Sequence, residues 1–310
     1  MTDRAASILE TLARHGLIEH AVGWSLTTLP GGATSRTFSA LDPSGQPALT
    51  VRLARPELGD WLRHEAAVLR ELSAAARPCV PGSVAHVEAP DLPGSQLLAH
   101  AHVDGAPARL ESVDAAALEA LATCLAWVHG HARDGYMLWP SLAVHHGTRA
   151  DCYRARVATL RLHPAARALP AVERLLDRID ALDLPASTGW DEPGFALIHG
   201  DLSPGNILWD GHGGVTLIDW EYARDGDPAE ELASLLAEHD LAPDIVADLG
   251  AAYAAASGDP SALARMPAWL PYVALDSAIW WANHLPRHGG TLDDTRIEDR
   301  LEQTSRYLGA

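Results

Sequence analysis

His199–Asp219 reads HGDLSPGNILWDGHGGVTLID, and this stretch decides how the rest of the chain is read. The apolar run Asn206 to Trp209, the turn Asp210-Gly211-His212-Gly213-Gly214 and the apolar run Val215 to Ile218 predict two strands joined by a glycine-rich turn. Such a hairpin returns Asp219 alongside Asn206. An amide oxygen and a carboxylate on adjacent backbone segments suit Mg²⁺, which takes one or two carboxylates together with phosphate oxygens and water. Asp201 is left to face a second substrate. The alternative is that Asp201 caps the turn at Ser203-Pro204-Gly205 and Asp219 merely ends a strand. The number of positions that match at once weighs against it.

His199, Asp201, Leu202 and Asn206 have the spacing H-x-D-L-x-x-x-N of a kinase catalytic loop, in which the Asp orients and deprotonates a hydroxyl while the Asn holds magnesium. The stretch LIHGDLSPGNIL resembles the catalytic loop of the aminoglycoside phosphotransferase and choline kinase superfamily. LIDWEYARDGDPAEELA, from Leu217 to Ala233, resembles its metal-binding segment and the helix that follows. Trp220-Glu221-Tyr222, Gly226-Asp227-Pro228 and Glu231-Leu232-Ala233 are closest to the thiamine-kinase and choline-kinase branch. The resemblance runs through most of the chain and implies an α+β, bilobed protein-kinase-like fold. A sheet-based nucleotide-binding lobe is expected over residues 1–103, and a mostly helical catalytic and acceptor-binding lobe over 104–310. The implied reaction moves the γ-phosphate of ATP, or GTP, to a hydroxyl of a metabolite or antibiotic, with Asp201 as base and Asn206 and Asp219 on Mg²⁺.

Composition bounds the reading independently. With 310 residues, 47% hydrophobic and 21% charged, the chain has ordinary globular composition for one large or two moderate domains. The formal charge of −18, from 41 acidic against 23 basic residues, argues against nucleic acid and anionic membranes as partners and favours a cationic small molecule. No lysine occurs, so all 23 basic residues are Arg. That excludes a P-loop and a Schiff-base enzyme, which both need a lysine. Cys79, Cys124 and Cys152 are odd in number and lack C-x-x-C spacing, so neither a disulfide framework nor a zinc site is indicated, and a reducing cytoplasm is the expected compartment. Met1 to His20 reads as an amphipathic helix rather than a signal peptide. The apolar C-terminal run is broken by Pro271 and Asp276, short of a membrane span.

Trp24 to Pro30 and Thr37 to Leu41 predict strands around Gly31-Gly32-Ala33-Thr34-Ser35-Arg36. In the kinase template such a tip covers the nucleotide phosphates, so Gly31, Gly32, Thr34, Ser35 and Arg36 are candidate contacts. Ala48 to Leu53 predicts a strand and Trp61 to Ala74 a helix. Kinases pair a basic residue on the third strand with a Glu on the next helix, and Arg52 and Glu65 fill those places. Gln96 to Val103 resembles the family's hinge, where backbone between Ala99 and His102, Ala101 and His102 included, would hold adenine. A helix is expected from Val113 to His131. His145, His146 and His163 fall in an expected helical region and match no metal motif.

Asp227-Pro228 predicts the N-cap and first turn of a helix from Pro228 to Glu238, with Asp227 bracing the catalytic core through backbone contacts. Ala268 to His284 predicts an apolar helix bearing Tyr272, Asp276, Trp280 and Trp281. With Trp220, Glu221 and Tyr222 it would form an aromatic wall with carboxylates for a cationic acceptor, at about 0.5–2 kcal/mol per cation–π contact. The competing reading makes these tryptophans core. Two other functions compete. A protein kinase is disfavoured because no A-P-E segment follows Asp219, and a non-catalytic nucleotide-binding module because Asp201, Asn206 and Asp219 are all present. Metabolite kinase against antibiotic kinase stays open.

Overall fold

Period-two alternation along one strand, Pro47–Ala54, organises the N-terminal part of the molecule. The computed structural model describes residues 3–29, 35–54, 59–75, 77, 79–92, 94–110, 112–138, 141–288, 291–292 and 294–309. The chain divides into two units, Met1–Ala106 with Ile207–Glu221, and Pro107–Asn206 with Tyr222–Ala310. A division at residue 103 leaves Ile207–Glu221 with the C-terminal part, whereas in the structure this segment groups with the N-terminal unit.

The first unit opens with α1 (Asp3–Arg14), followed by β1 (Ser25–Thr28), β2 (Ser35–Leu41), β3 (Pro47–Ala54), α2 (Gly59–Ser73), β4 (Ala85–Glu88) and β5 (Gln96–Ala101). The five strands form an antiparallel sheet in the order β1-β2-β3-β5-β4. Alternation sends Val51 and Leu53 of β3, with Leu97 and Ala99 of β5, into an apolar core closed by Ile8, Leu9 and Leu12 of α1. The intervening Arg52 therefore points to the other face, where Glu65 of α2 meets it. The expected hairpin also belongs to this unit. Ile207–Trp209 pairs with Val215–Leu217 in the register Ile207↔Leu217 to Trp209↔Val215. Asp210 closes its turn, with Oδ1 accepting from the N–H groups of His212 (2.7 Å) and Gly214 (2.9 Å). Leu217 N–H donates to Cys79 O (2.9 Å), which fastens the hairpin to the unit.

The second unit is mostly helical: α3 (Ala115–His129), α4 (Arg149–Leu162), α5 (Pro164–Ala168), α6 (Pro170–Asp180), α7 (Pro228–His239), α8 (Pro243–Ser257), α9 (Ser261–His284) and α10 (Thr295–Gly309). A three-stranded sheet of Arg224–Gly226, Phe195–Ile198 and Ala132–Arg133 leads into the loop that begins at His199. The helix α9 packs against α7 and α10, and buries Trp269 and Tyr272 against Tyr153 and Trp190. It starts at Ser261 rather than at the expected Ala268, running through Pro267 and Pro271. His145 lies in a short strand, Ala143–His145, and not in a helix. Cys79, Cys124 and Cys152 are buried and form no disulfide, and burial pushes the Cys152 thiol up to about 12. Among the described residues, no helix is long and apolar enough to cross a membrane.

The second unit is pinned by a buried ion pair. Asp227 caps α7, its Oδ1 accepting from Ala229 N–H at 3.1 Å. Arg265 of α9 grips the same carboxylate in bidentate fashion, Nε to Oδ2 at 2.9 Å and Nη2 to Oδ1 at 2.8 Å, and Trp269 Nε1–H adds a contact at 3.3 Å. Asp227 thus contacts backbone through the cap, and Arg265 and Trp269 add side-chain partners that the sequence did not predict. Removing one partner strands the other charge in the interior, which typically costs about 3–5 kcal/mol. Asp227→Ala is expected to lower the unfolding free energy by about that much in denaturant titration, and Asp227→Ala/Arg265→Met to recover part of it. An unchanged midpoint in Asp227→Ala would show that the pair carries no stability.

Candidate active site

In the second unit the loop expected to be catalytic leaves the strand Phe195–Ile198 at His199, which is fully buried. Gly200 follows with φ of +80°, and a Cβ there would lie 2.4 Å from Tyr222 O, so only glycine fits. Its N–H donates to Glu231 Oε1 at 2.8 Å, and Glu231 Oε2 meets His129 Nε2 at 3.0 Å. Burial opposes ionisation of Glu231, yet the His129 and Gly200 contacts hold its pKa below the ordinary carboxylate value. From the other side, His239 Nε2 contacts Leu202 O at 3.0 Å. The loop is thereby clamped to α3 and α7.

Asp201 sits at the centre of this loop. Its N–H donates to His199 Nδ1 at 3.3 Å, its Oδ1 accepts from Ser203 N–H at 3.3 Å, and its Oδ2 accepts from Asn206 Nδ2 at 2.8 Å. Asn206 Nδ2 also donates to Asp201 O at 3.0 Å. Asp201 is therefore more tightly braced than expected. The bracing fixes the direction of its carboxylate. Because the amide nitrogen of Asn206 is spent on Asp201, its amide oxygen is the atom left for a hard cation.

Arg52 forms the corresponding centre of the first unit. Its Nη1 donates to Glu65 Oε1 (2.6 Å) and Asp219 Oδ1 (2.5 Å), its Nη2 to Glu221 Oε2 (2.7 Å) and its Nε to Ser35 Oγ (3.0 Å). Burial disfavours the charge, but the carboxylates of Glu65, Asp219 and Glu221 raise the Arg52 pKa beyond its ordinary value. Glu65 is pushed up by burial and by its acidic neighbours, against the pull of Arg52. Its Oε2 is buried with no hydrogen-bond partner among the described residues.

The ligand atoms of Glu65, Asp219 and Glu221 lie within 4.8 Å of one another, a grouping that by itself resembles a metal cage. The guanidinium is their common partner, so the cluster is an ion-pair network first. Asp219 is the member suited to a metal. Its side chain is 30% exposed, Arg52 takes Oδ1 and leaves Oδ2, and its φ of +66° is a left-handed conformation costly for a non-glycine residue. Asp219 follows the hairpin, and a carboxylate oxygen of this kind is a donor that fits Mg²⁺.

Two acceptor candidates are corrected. Trp220 is fully buried and donates from Nε1 to Leu217 O at 2.9 Å, so it is core of the first unit and not a substrate wall. Glu221 is buried against Arg52 in the same unit and serves that cation. Tyr222, Asp276, Trp280 and Trp281 belong to the second unit. Trp280 Nε1 approaches Tyr222 Oη at 3.4 Å and its ring stacks on His284, with centroids 4.5 Å apart, while Arg296 lies 4.4 Å over Trp281. Burial pushes Asp276 up to about 6, with Arg224 and Arg156 pulling down and Glu230 and Glu238 pushing further up. Glu238, which the sequence analysis missed, is raised by burial, tempered by Arg300, and raised again by Asp201, so it links Asp201 and Asp276 electrostatically. Its Oε2 accepts from Arg300 Nη2 at 2.5 Å.

On the nucleotide side, Gly31, Gly32 and Thr34 lie outside the described residues. Ser35 is buried under Arg52 rather than presented to a phosphate, and Arg36 is exposed on β2. The N–H groups of Ala101 and His102 are spent on Gly82 O (2.9 Å) and Ala48 O (3.0 Å). Adenine contacts in this segment would therefore fall to other backbone groups. Glu238 left little signal in the sequence, because an acidic residue on a helix ordinarily reads as part of its solvated face, and Glu231 was legible only as part of a motif and not as a clamp on Gly200.

Known proteins share this architecture. A thermostable mutant of aminoglycoside phosphotransferase APH(4)-Ia, in a ternary complex with ADP and hygromycin B, aligns over 92% of this chain and 93% of its own with a TM-score of 0.65 at 18% identity. Choline kinase from Cryptosporidium parvum Iowa II aligns over 97% and 94% with a TM-score of 0.68 at 11% identity, and a macrolide 2'-phosphotransferase type I over 98% and 97% with 0.61 at 21%. At these identities the likeness is one of fold. In sequence, viomycin phosphotransferase from Streptomyces vinaceus is 39% identical over 71 residues, a stretch that spans 22% of this chain and only 22% of that relative. The model of the phosphotransferase enzyme family matches residues 25–269, most of the chain, and the chain belongs to that family.

Proposed function

We propose that this protein transfers the γ-phosphoryl group of ATP to a hydroxyl of a cationic small molecule. The observation that carries the reading is the Asp201 carboxylate held by Asn206 Nδ2 at 2.8 Å on a loop clamped by Glu231. A general base must point at the proton it removes, and this bracing supplies direction without neutralising the charge. Asp201 accepts the proton of the acceptor hydroxyl at a carboxylate oxygen as the hydroxyl oxygen attacks the γ-phosphorus, the bond from that phosphorus to the bridging oxygen breaks, and ADP leaves. Asn206 and Asp219 are the proposed Mg²⁺ ligands, and the ion supplies charge neutralisation on the transferring phosphate. Arg52 is the proposed phosphate contact, oriented by Glu65.

The acceptor is assigned to the second unit, where Glu238 lies within electrostatic reach of Asp201 and Asp276 within reach of Glu238, and where Tyr222 and Trp280 offer aromatic surface. A positively charged acceptor fits this setting. An antibiotic is favoured over a metabolite by the local identity to viomycin phosphotransferase. A screen for ADP release across choline, ethanolamine, thiamine, aminoglycosides, macrolides and peptide antibiotics would decide the class. A neutral or anionic best acceptor would remove the cationic assignment.

Asp201→Asn is expected to lose about 10²–10⁴ in turnover while binding Mg-ATP within about twofold of the native protein. Near-native turnover would refute the base assignment. Asp219→Ala should weaken Mg-ATP binding and rate together, and Asn206→Ala should raise the magnesium concentration needed for half-maximal rate; magnesium titrations unchanged in both would exclude them as ligands. Because the raised pKa of Asp276 lies at about 6, its carboxylate is charged above that pH and protonated below it. The KM of a cationic acceptor should therefore rise as pH falls through about 6, with the KM of ATP little changed, and Asp276→Asn should flatten that profile. Parallel profiles for the two proteins would take Asp276 out of the acceptor site.

A further inference from the structure

We propose that Tyr253 is a positioning residue for the loop bearing Asp201, acting through His129 and Glu231. The inference rests on the reading of Asp201 as the base. Within the second unit these groups form one buried chain. Tyr253 Oη lies 2.8 Å from His129 Nδ1, His129 Nε2 lies 3.0 Å from Glu231 Oε2, and Gly200 N–H donates to Glu231 Oε1 at 2.8 Å. Tyr253 comes from α8, His129 is the last residue of α3 and Glu231 sits in the first turn of α7. The three side chains are buried, so none can exchange its partner for water without cost. Gly200 directly precedes Asp201, so whatever fixes the Gly200 amide fixes the start of the segment that aims the Asp201 carboxylate.

The protons along this chain follow from its chemistry. The His129 and Gly200 contacts hold Glu231 ionised against burial, and an ionised carboxylate only accepts. The Gly200 amide and His129 Nε2 therefore both donate to it. At the other ring nitrogen, Nδ1, the partner is a hydroxyl, which can donate or accept. Burial, reinforced by Asp259, Glu231 and Asp227, raises the Tyr253 pKa, so this oxygen keeps its proton. Tyr253 donates to Nδ1 when His129 is neutral and accepts from it when His129 is charged. In either state Nε2–H stays directed at Glu231. Phenylalanine at 253 would fill the same space, but the ring of His129 would lose one of the two hydrogen bonds that set its angle. Glutamine at 231 exposes the role of the hydroxyl further. Its carbonyl keeps Gly200 N–H only if its amide NH2 faces His129, and the ring must then carry its proton on Nδ1 and donate it to Tyr253. The exchange works with tyrosine at 253 and fails with phenylalanine.

The test needs no acceptor. Native protein, Tyr253→Phe, Glu231→Gln and Tyr253→Phe/Glu231→Gln are labelled with ¹⁵N in histidine and glycine, and their unfolding midpoints are measured alongside. Ring ¹⁵N shifts report which nitrogen of His129 carries a proton, and exchange of Gly200 N–H with deuterium reports the hold on the loop. The native ring should be protonated at Nε2. Tyr253→Phe should speed Gly200 exchange about tenfold, the scale of one buried hydrogen bond. Glu231→Gln should move the ring proton to Nδ1 while Gly200 exchange changes no more than that. The double variant should exceed the product of the two single effects. A tyrosine that only packs would give neither the proton shift nor this excess. A native ring bare at Nε2, or effects that simply multiply, would overturn the role. So would Gly200 exchange in Tyr253→Phe that changes no more than global stability does. Should Glu231→Gln fail to fold, Tyr253→Phe decides by itself: faster exchange at Gly200 supports the role and unchanged exchange ends it. If Asp201→Asn keeps near-native turnover while Tyr253→Phe loosens Gly200, the base reading falls and the chain from Tyr253 remains a clamp on that loop.

Discussion

Burying a guanidinium that cannot give up its proton is the constraint around which this structure is arranged. Arginine stays charged in any protein interior, and withdrawing such an ion from water costs several kcal/mol unless carboxylates meet it with good geometry. Arg52 is met by Glu65, Asp219 and Glu221, which come from α2 and from the segment after the hairpin. In satisfying one cation the chain ties together parts of the sequence far apart from each other. The second unit repeats the solution with Arg265 on Asp227, Arg156 and Arg224 sharing Glu230, and Arg300 on Glu238. Among the described residues, the buried arginines Arg52, Arg156 and Arg265 each have a carboxylate partner.

The acidic excess takes on a different meaning in this light. Many of the carboxylates behind the net charge of −18 are internal counterions, among them Glu65, Asp227, Glu230 and Glu231, all of them buried. The overall charge therefore says less about a substrate than composition alone implied. What bears on the acceptor is local: Asp276 and Glu238, both raised by burial and both within electrostatic reach of other carboxylates.

Elements governed by a short sequence period were legible. The strand carrying Arg52, the helix carrying Glu65 and the hairpin between Asn206 and Asp219 each follow from alternation, helical spacing or a glycine-rich turn. The segment Trp220–Tyr222 was not legible in the same way, because one helical turn sends neighbouring side chains in unrelated directions. Trp220 enters the core, Glu221 reaches Arg52, and Tyr222 already belongs to the second unit. Residues that act by holding others are harder still. Glu231 clamps the loop bearing Asp201 through Gly200 N–H and is itself met by His129, partners 31 and 102 residues away, and no local pattern announces such a contact.

The buried cysteines have a use that nothing in the proposed chemistry requires. A thiol reacts as its thiolate and only when reached, so Cys152, with its pKa near 12 and its side chain enclosed, stays inert to alkylating reagents while its surroundings are closed. Cys79 lies in the first unit, and Cys124 and Cys152 in the second. Labelling kinetics followed residue by residue would then report the opening free energy of each unit separately, with no probe added to the native chain.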